Sequence, residues 1–281
     1  ALAALCQQDD FRTFHIVRYH QAWLEDDGTL YIQTELCSAT LREELSGGRG
    51  GEAAINAEPR ERRSVPDATA ARPAMDPFRQ LKVLREVLLA LELVHRRGMV
   101  HLDIKPENIM IKNDLYKLGD FGLANSFACG SKAGTAVSPD VEEGDSRYMS
   151  RDLLDFRPRD LTKCDIFSLG ATMYEVCTGQ PLPACGQGWH DLRDGRLPHP
   201  FPQSTMPCLG AIVREMMHPD PGKRPSAAEL LSREVLGGEG GGGGGHPQLL
   251  GSAWKRTSQE VGSKVLHLVR PSLKRSASWT L

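Results

Sequence analysis

The stretch HLDIKPENIM, residues 101–110, constrains this chain more than any other. Two acids, a lysine and an asparagine stand beside Ile104, Ile109 and, one step further, Ile111. A solvated loop has no use for the apolar brackets, and an ordinary core excludes unpaired charge. The pattern therefore predicts a polar loop carried between short buried strands. Asp120, in GDFG, follows seventeen residues after Asp103, and YKLGDFGL also reads as strand-like.

The flanking sequence has clear punctuation. FHIVRYHQAW (14–23) and TLYIQTEL (29–36) read as two strands around the acidic turn LEDDG, being rich in β-branched and aromatic residues. Residues 46–75 are rich in Gly, Ala, Pro and Arg. They offer too little apolar surface to offset their ordering entropy and read as a disordered insert. A helix follows: Asp76 caps it, Pro77 suits its first turn, and Gly98 ends it. Phe78, Leu81, Leu84, Leu88, Leu91 and His95 form its expected stripe. From about residue 160 to 236 the pattern is mainly helical. GGEGGGGGGH (237–246) is a flexible linker, and the tail to residue 281 is basic and Ser-rich. The expected organisation is a partial N-lobe and hinge over 1–45, an insert over 46–75, a C-lobe over 76–236, and linker plus tail over 237–281.

Bulk properties exclude some classes. The net charge is −2 at neutral pH, so no basic field points to nucleic acid. Seven cysteines without a C-x-x-C pair read as reduced thiols of the cytosol or nucleus. No apolar run reaches the ~18 residues a bilayer needs, and no signal peptide opens the chain. The first residue is not Met, and ALAALCQQ begins inside a helix-like pattern. An N-terminal part is therefore expected to be missing.

Phosphoryl transfer calls for the residue types gathered around Asp103. Metal ions that bridge nucleotide phosphates take hard oxygen ligands such as Asp and Asn. A carboxylate orients the attacking hydroxyl and accepts its proton, while a cation offsets charge on the transferring group. HLDIKPEN followed by DFG resembles the catalytic loop and metal-binding motif of eukaryotic protein kinases. That resemblance implies an α+β, bilobal fold with a β-rich N-lobe and a mainly helical C-lobe. It makes Asp103 the catalytic base and Lys105 the partner of the γ-phosphate. Asn108 and Asp120 become Mg2+ ligands for ATP, with His101, Phe121 and Gly122 as structural members of the two motifs.

Other positions follow the same resemblance. Asp165, in CDIFSLG, matches the buried helix acid that holds the catalytic-loop backbone; a simple helix N-cap is the alternative. Arg224, in HPDPGKRPSA, matches a late arginine that pairs with the glutamate of an A-P-E motif. Here YMSRDLL places Asp152 there, so a buried Asp152–Arg224 pair is expected, with a solvated pair as the alternative. IQTELC resembles a hinge. Thr34 would stand at the back of the adenine pocket, with the backbone of Glu35 and Cys37 bonding the adenine edge.

VEEGDSRYM, QPLPACGQGWHDLRDGRLP and MMHPDPGKRPSA narrow the resemblance to the Wee family of cell-cycle kinases, over roughly residues 1–236. That implies tyrosine as the acceptor, a cyclin-dependent kinase as the substrate, and the nucleus, alongside the cytoplasm, as the location. Asp145 stands where a threonine is usual, and a charge-assisted bond to Lys105 is expected; an ordinary acidic loop residue is the alternative. Leu102 stands where an arginine usually receives an activation-loop phosphate, so that switch is not expected here. The Gly-rich loop, the β3 lysine and its helix glutamate are not in the sequence. A kinase of the translation-initiation-factor-2 type, whose hinge is similar, and a non-catalytic pseudokinase both remain open. In the tail, Arg275 precedes Ser276 and Ser278 in an R-S-x-S pattern that resembles a 14-3-3 site. Phosphorylated Ser278 is the expected anchor, and a solvated basic tail is the alternative.

Overall fold

The computed structural model describes residues 10–47, 75–122, 125–126, 145–155 and 160–237. All but the edges of the expected insert and tail, the opening ALAALCQQ, and Ser278 lie outside these. The chain divides into two compact units, Ala1–Leu231 and Ser232–Leu281. Of the second, the described part holds one 3-10 turn, Glu234–Leu236.

Strand β1 (Tyr19–Leu24) pairs antiparallel with β2 (Leu30–Thr34) in a hairpin. The sequence pattern starts the first strand at Phe14, but Phe11–His15 forms a 3-10 turn capped by Asp10. Packing decides this. His15 is buried with Nδ1 3.2 Å from the Tyr116 carbonyl, and Ile16 makes a parallel bridge to Leu118. The segment is fixed by the strand behind it rather than by pairing with the hairpin.

A second sheet has the order β3-β5-β6, all antiparallel, with β3 (Ala39–Thr40), β5 (Ile109–Lys112) and β6 (Leu115–Leu118). Its tight β5–β6 turn places Asn113 and Asp114 at φ 51° and 61°, a left-handed conformation that asparagine and aspartate tolerate. Helix α1 (Leu41–Leu45) leaves β3 through a capping box between Thr40 and Glu43. Strands β4 (Met99–Val100) and β7 (Asn125–Ser126) form a third pair.

Helix α2 (Pro77–Arg96) is the centre of the core. Asp76 caps it, accepting the Arg79 N–H, and Gly98 follows its end at φ 66°. Leu81, Leu84, Leu88 and Leu91 are buried as the stripe requires, but Phe78 is 61% exposed. The stripe also understates the burial: Val83, Val87, Ala90, Leu93 and Val94 are fully enclosed. The helix is covered by more than one partner, packing on β6, on the 11–15 turn, and on α4 (Thr162–Thr178) and α7 (Ala227–Leu231). Each fully buried leucine contributes about 1.5–3 kcal/mol.

The described region from residue 151 is mainly helical, as the sequence pattern places it from about residue 160. It contains α3 (Arg151–Leu154), α4, α5 (Gly186–Arg193), α6 (Pro207–Met216) and α7. Gly170 lets α4 and α6 approach closely. A Cβ there would stand 2.8 Å from Met217 Cγ and 2.9 Å from Met216 Cβ. Among the described residues no helix is long and apolar enough to cross a membrane.

Candidate active site

Asp165, in the first turn of α4, is 0% exposed and organises the loop above it. Its Oδ2 accepts the main-chain N–H of His101 at 2.9 Å, and its Oδ1 accepts that of Leu102 at 2.7 Å. His95 Nε2, at the end of α2, lies 2.8 Å from Oδ2. Sequence pattern assigned His95 to an apolar stripe; the structure makes it a partner of the anchor. A buried carboxylate tolerates its site only with such donors, and each charge-assisted bond is worth about 1.5–3 kcal/mol. The anchor reading of Asp165 holds, and the helix-cap alternative falls away. Leu102 is drawn into φ 65° by this grip, a conformation that costs a non-glycine residue about 1–3 kcal/mol. Its side chain is buried with Val100, Met149, Leu153 and Cys164. An apolar cluster thus stands where a phosphate-binding arginine would be.

One residue further on, Asp103 Oδ2 receives Lys105 Nζ at 2.7 Å and Asn108 Nδ2 at 2.8 Å. Asn108 Nδ2 also bonds the Asp103 carbonyl at 2.8 Å. Because its amide nitrogen is spent twice on Asp103, its Oδ1 is the atom left for a hard cation. The β5–β6 hairpin then brings the GDFG segment alongside. Gly119 N–H bonds the Asn108 carbonyl at 2.9 Å, and His101 Nε2 lies 2.8 Å from the Gly119 carbonyl. Burial holds the His101 imidazole below its usual pKa, hence neutral. That carbonyl fixes the Nε2–H tautomer, leaving Nδ1 to accept the Asp103 N–H at 3.3 Å. The ring packs edge-on against Phe121, with centroids 4.7 Å apart. Asp120 itself sits at φ 53°. Its carboxylate is exposed and takes only the Gly122 N–H, at 3.3 Å, among the described residues. An open carboxylate and an amide oxygen on neighbouring backbone are a donor set suited to Mg2+.

Asp145 departs from expectation. Its carboxylate is gripped by Arg147, with Nε at 3.0 Å and Nη2 at 2.5 Å, rather than bonded by Lys105. Arg147 lies two residues away in the same turn and matches a carboxylate with two parallel donors, while Lys105 is committed to Asp103. Lys105 still adds to the field that holds the Asp145 carboxyl below its usual range, after the Arg147 bonds. The Asp152–Arg224 pair forms as expected. Arg224 Nη2 and Nη1 reach the two Asp152 oxygens at 2.7 and 3.3 Å. Arg224 is 2% exposed and lies over the Phe167 ring. The solvated alternative is thereby excluded.

At the expected hinge, Thr34 closes β2 opposite Tyr19, and its side chain is exposed. The Glu35 N–H bonds the Arg18 carbonyl at 2.9 Å, so of its backbone only the carbonyl is left for an adenine edge. The Glu35 carboxylate turns away to Lys117 at 2.7 Å and Lys112 at 2.9 Å. Those lysines and the Arg18 N–H outweigh burial and bring its pKa down to about 2. Cys37 is half-buried, and burial pushes its thiol pKa up, so it is a poor nucleophile.

Two features were not singled out from sequence. Arg42, in α1, bonds Glu107 of the catalytic loop at 2.8 Å, Glu175 of α4 at 2.5 Å and the Tyr148 hydroxyl at 2.6 Å. Arg193 closes α5 and holds the main chain of Ser146 and Arg147. Glu107 lies inside KPEN, and Glu175, ten residues after Asp165, is the one charged residue in the rest of that helix. A buried-helix glutamate of that kind was the available signal.

Comparison with known proteins agrees with these motifs. A family model described as protein kinase domain matches residues 7–236. The chain is 35% identical over 243 residues to Wee1-like protein kinase 2-C of Xenopus laevis, covering 79% of this chain and 38% of that one. It is 36% identical over 236 residues to the Wee1-like protein kinase of Arabidopsis thaliana, covering 84% and 39%. The rice (Oryza sativa subsp. japonica) Wee1-like protein kinase is 35% identical over 238 residues, at 84% and 37%. The chain therefore spans less than two-fifths of the length of these relatives.

Proposed function

The chain belongs to the protein kinase family, and from that premise we propose that the protein transfers the γ-phosphate of ATP to a tyrosine of a cyclin-dependent kinase, restraining mitotic entry from the nucleus. The observation that carries this reading is the Asp103 carboxylate, held by Lys105 and Asn108 in a loop whose backbone is clamped by buried Asp165. Similarity to Wee1-like kinases supports the substrate class.

MgATP, when bound, supplies the phosphoryl group and the divalent charge; Asn108 and Asp120 would hold the metal. The rest falls to this chain. Asp103 accepts the proton of the acceptor hydroxyl and orients its lone pair. Lys105, bonded to Asp103, orients that carboxylate and offsets charge that builds on the transferring oxygens. Asp165 keeps the loop rigid, so that no reorganisation is needed as charge develops. The hinge supplies the Glu35 carbonyl and the Cys37 backbone to the adenine edge, with Thr34 behind. In the tail, phosphorylated Ser278 docks a 14-3-3 protein; the R-S-x-S pattern alone supports this.

Asp103→Asn in the intact protein is expected to lower the phosphotransfer rate by about 10²–10⁴-fold with nucleotide affinity retained. A variant running at the wild-type rate shows that Asp103 is not the base. Tyrosine and serine versions of one cyclin-dependent-kinase peptide settle the acceptor, and equal rates on both overturn tyrosine selectivity.

A further inference from the structure

Arg42 is held by more carboxylate than a surface helix needs. Its Nη1 and Nη2 meet the two oxygens of Glu175 at 2.5 and 3.2 Å, and its Nε meets Glu107 Oε1 at 2.8 Å. The Tyr148 hydroxyl accepts from Nη2 at 2.6 Å and donates to Glu175 Oε2 at 2.6 Å. Glu175 is buried, whereas Glu107 and Arg42 are partly open to solvent. Among the described residues the second oxygen of Glu107 has no partner. The two acids come from distant parts of the chain, and the turn that carries Glu107 also carries Lys105 and Asn108, both bonded to Asp103. Arg147, beside Asp145, comes within 4.0 Å of Glu107 on the other side. An acceptor segment lying from Asp103 toward residues 145–148 must pass this acidic cradle.

We propose that Arg42 is a built-in plug: it fills an acidic cradle beside the catalytic loop that would otherwise take an arginine of the acceptor protein, and so sets the enzyme against basic acceptor sequences. The inference rests on the phosphotransfer reading above and names Arg42 as a specificity determinant within it. The physical basis is charge. A guanidinium in a two-carboxylate fork is among the strongest side-chain contacts available. Removing it leaves the buried Glu175 with the Tyr148 hydroxyl but no counter-charge, which is costly unless another cation enters. An arginine side chain from outside finds the same two acids and the same hydroxyl.

The test compares wild type with Arg42→Ala in the intact protein. A tyrosine peptide carries a single arginine walked through every flanking position. Wild type is expected to vary by no more than about twofold across the set. Arg42→Ala is expected to favour arginine at one or two positions by about tenfold, the change that roughly 1.4 kcal/mol brings. Adding Glu107→Gln to Arg42→Ala should remove most of that gain. In parallel, methylguanidinium at matched ionic strength should raise the melting temperature of Arg42→Ala and not that of wild type. If Arg42→Ala does not fold, Arg42→Gln fills the space without the charge and is expected to gain in the same direction. A flat arginine profile in the folded variant overturns the plug, even if methylguanidinium stabilises it, because the cradle would then be closed to acceptors. If neither protein phosphorylates any peptide, the phosphotransfer reading fails instead. The plug is then decided by peptide affinity in fluorescence anisotropy, where equal affinity of arginine and neutral peptides for Arg42→Ala overturns it.

Discussion

Arg224 and Arg193 are both almost fully buried, at 2% and 1% exposure, and each lies on an aromatic ring, Phe167 and Trp189. Their partners differ. Arg224 has the Asp152 carboxylate, together with the carbonyls of His218, Lys163 and Pro219. Arg193 has carbonyls alone among the described residues, those of Trp189, Ser146 and Arg147, and its Nε is left without a partner. Burial and the nearby Arg151 charge bring its pKa down to about 10. One arginine is neutralised where it sits. The other keeps an uncompensated charge, and what it holds in return is the main chain immediately after Asp145. A buried charge without a counter-charge stabilises the fold poorly, so the contrast locates a positioning role at Arg193 and a structural one at Arg224.

The largest effect expected from this contrast comes from Asp152→Ala. It strands the Arg224 charge and should cost about 3–5 kcal/mol in denaturant unfolding. A loss under about 1 kcal/mol would place Asp152–Arg224 with ordinary surface pairs and erase the difference between the two arginines.

Glu86 extends the comparison to an acid. It is buried in α2 and accepts the Tyr116 N–H at 2.8 Å. Burial raises its pKa to about 7. With the folded pKa above the unfolded one, the folded state binds more protons between about pH 4.5 and 7, so this group's contribution to stability is lost as pH rises through that window. His15, pushed by burial down to about 4, has the opposite slope below its usual pKa. The informative measurement is therefore the difference between Glu86→Gln and wild type. The stability of the variant minus that of wild type should rise by about 3 kcal/mol between pH 4.5 and pH 8. Parallel pH profiles would mean that Glu86 ionises normally in the fold.

The smallest stability effect is expected at Arg193. Arg193→Met relieves a buried charge but orphans three carbonyls, for a net loss of about 1–2 kcal/mol. The Michaelis constant for the protein acceptor should rise several-fold while that for ATP is unchanged, and Arg193→Lys should restore part of the change. If both constants move together, or if stability falls as far as in Asp152→Ala, the positioning role is wrong.

These contrasts were unevenly legible in the sequence. Asp103, Lys105, Asn108 and Asp120 could be read because they are close along the chain and sit between apolar residues. Asp152 and Arg224 could be matched only through a family resemblance, since seventy-two positions separate them. Arg42, Glu107, Glu175 and Tyr148 escaped because no local pattern links a post-hinge helix to a catalytic loop. Asp145 was given the wrong partner. The sequence offered Lys105 by analogy, whereas proximity within one turn favoured Arg147. Phe14 looked like strand and Phe78 like core because periodicity records apolar spacing without recording what covers it.

By itself, then, the sequence determined the local matters: the cap and stop of α2, the turn between β5 and β6, the order of the acidic motifs, and the kinase family they resemble. Those follow from near-neighbour sterics and from hydrogen bonds closed within a few residues. Only the tertiary structure decided which distant charge meets which: His95 with Asp165, Arg42 with two distant glutamates, and Arg193 with backbone alone. Burial multiplies the worth of each such contact, and burial is a property of the packed chain rather than of any segment.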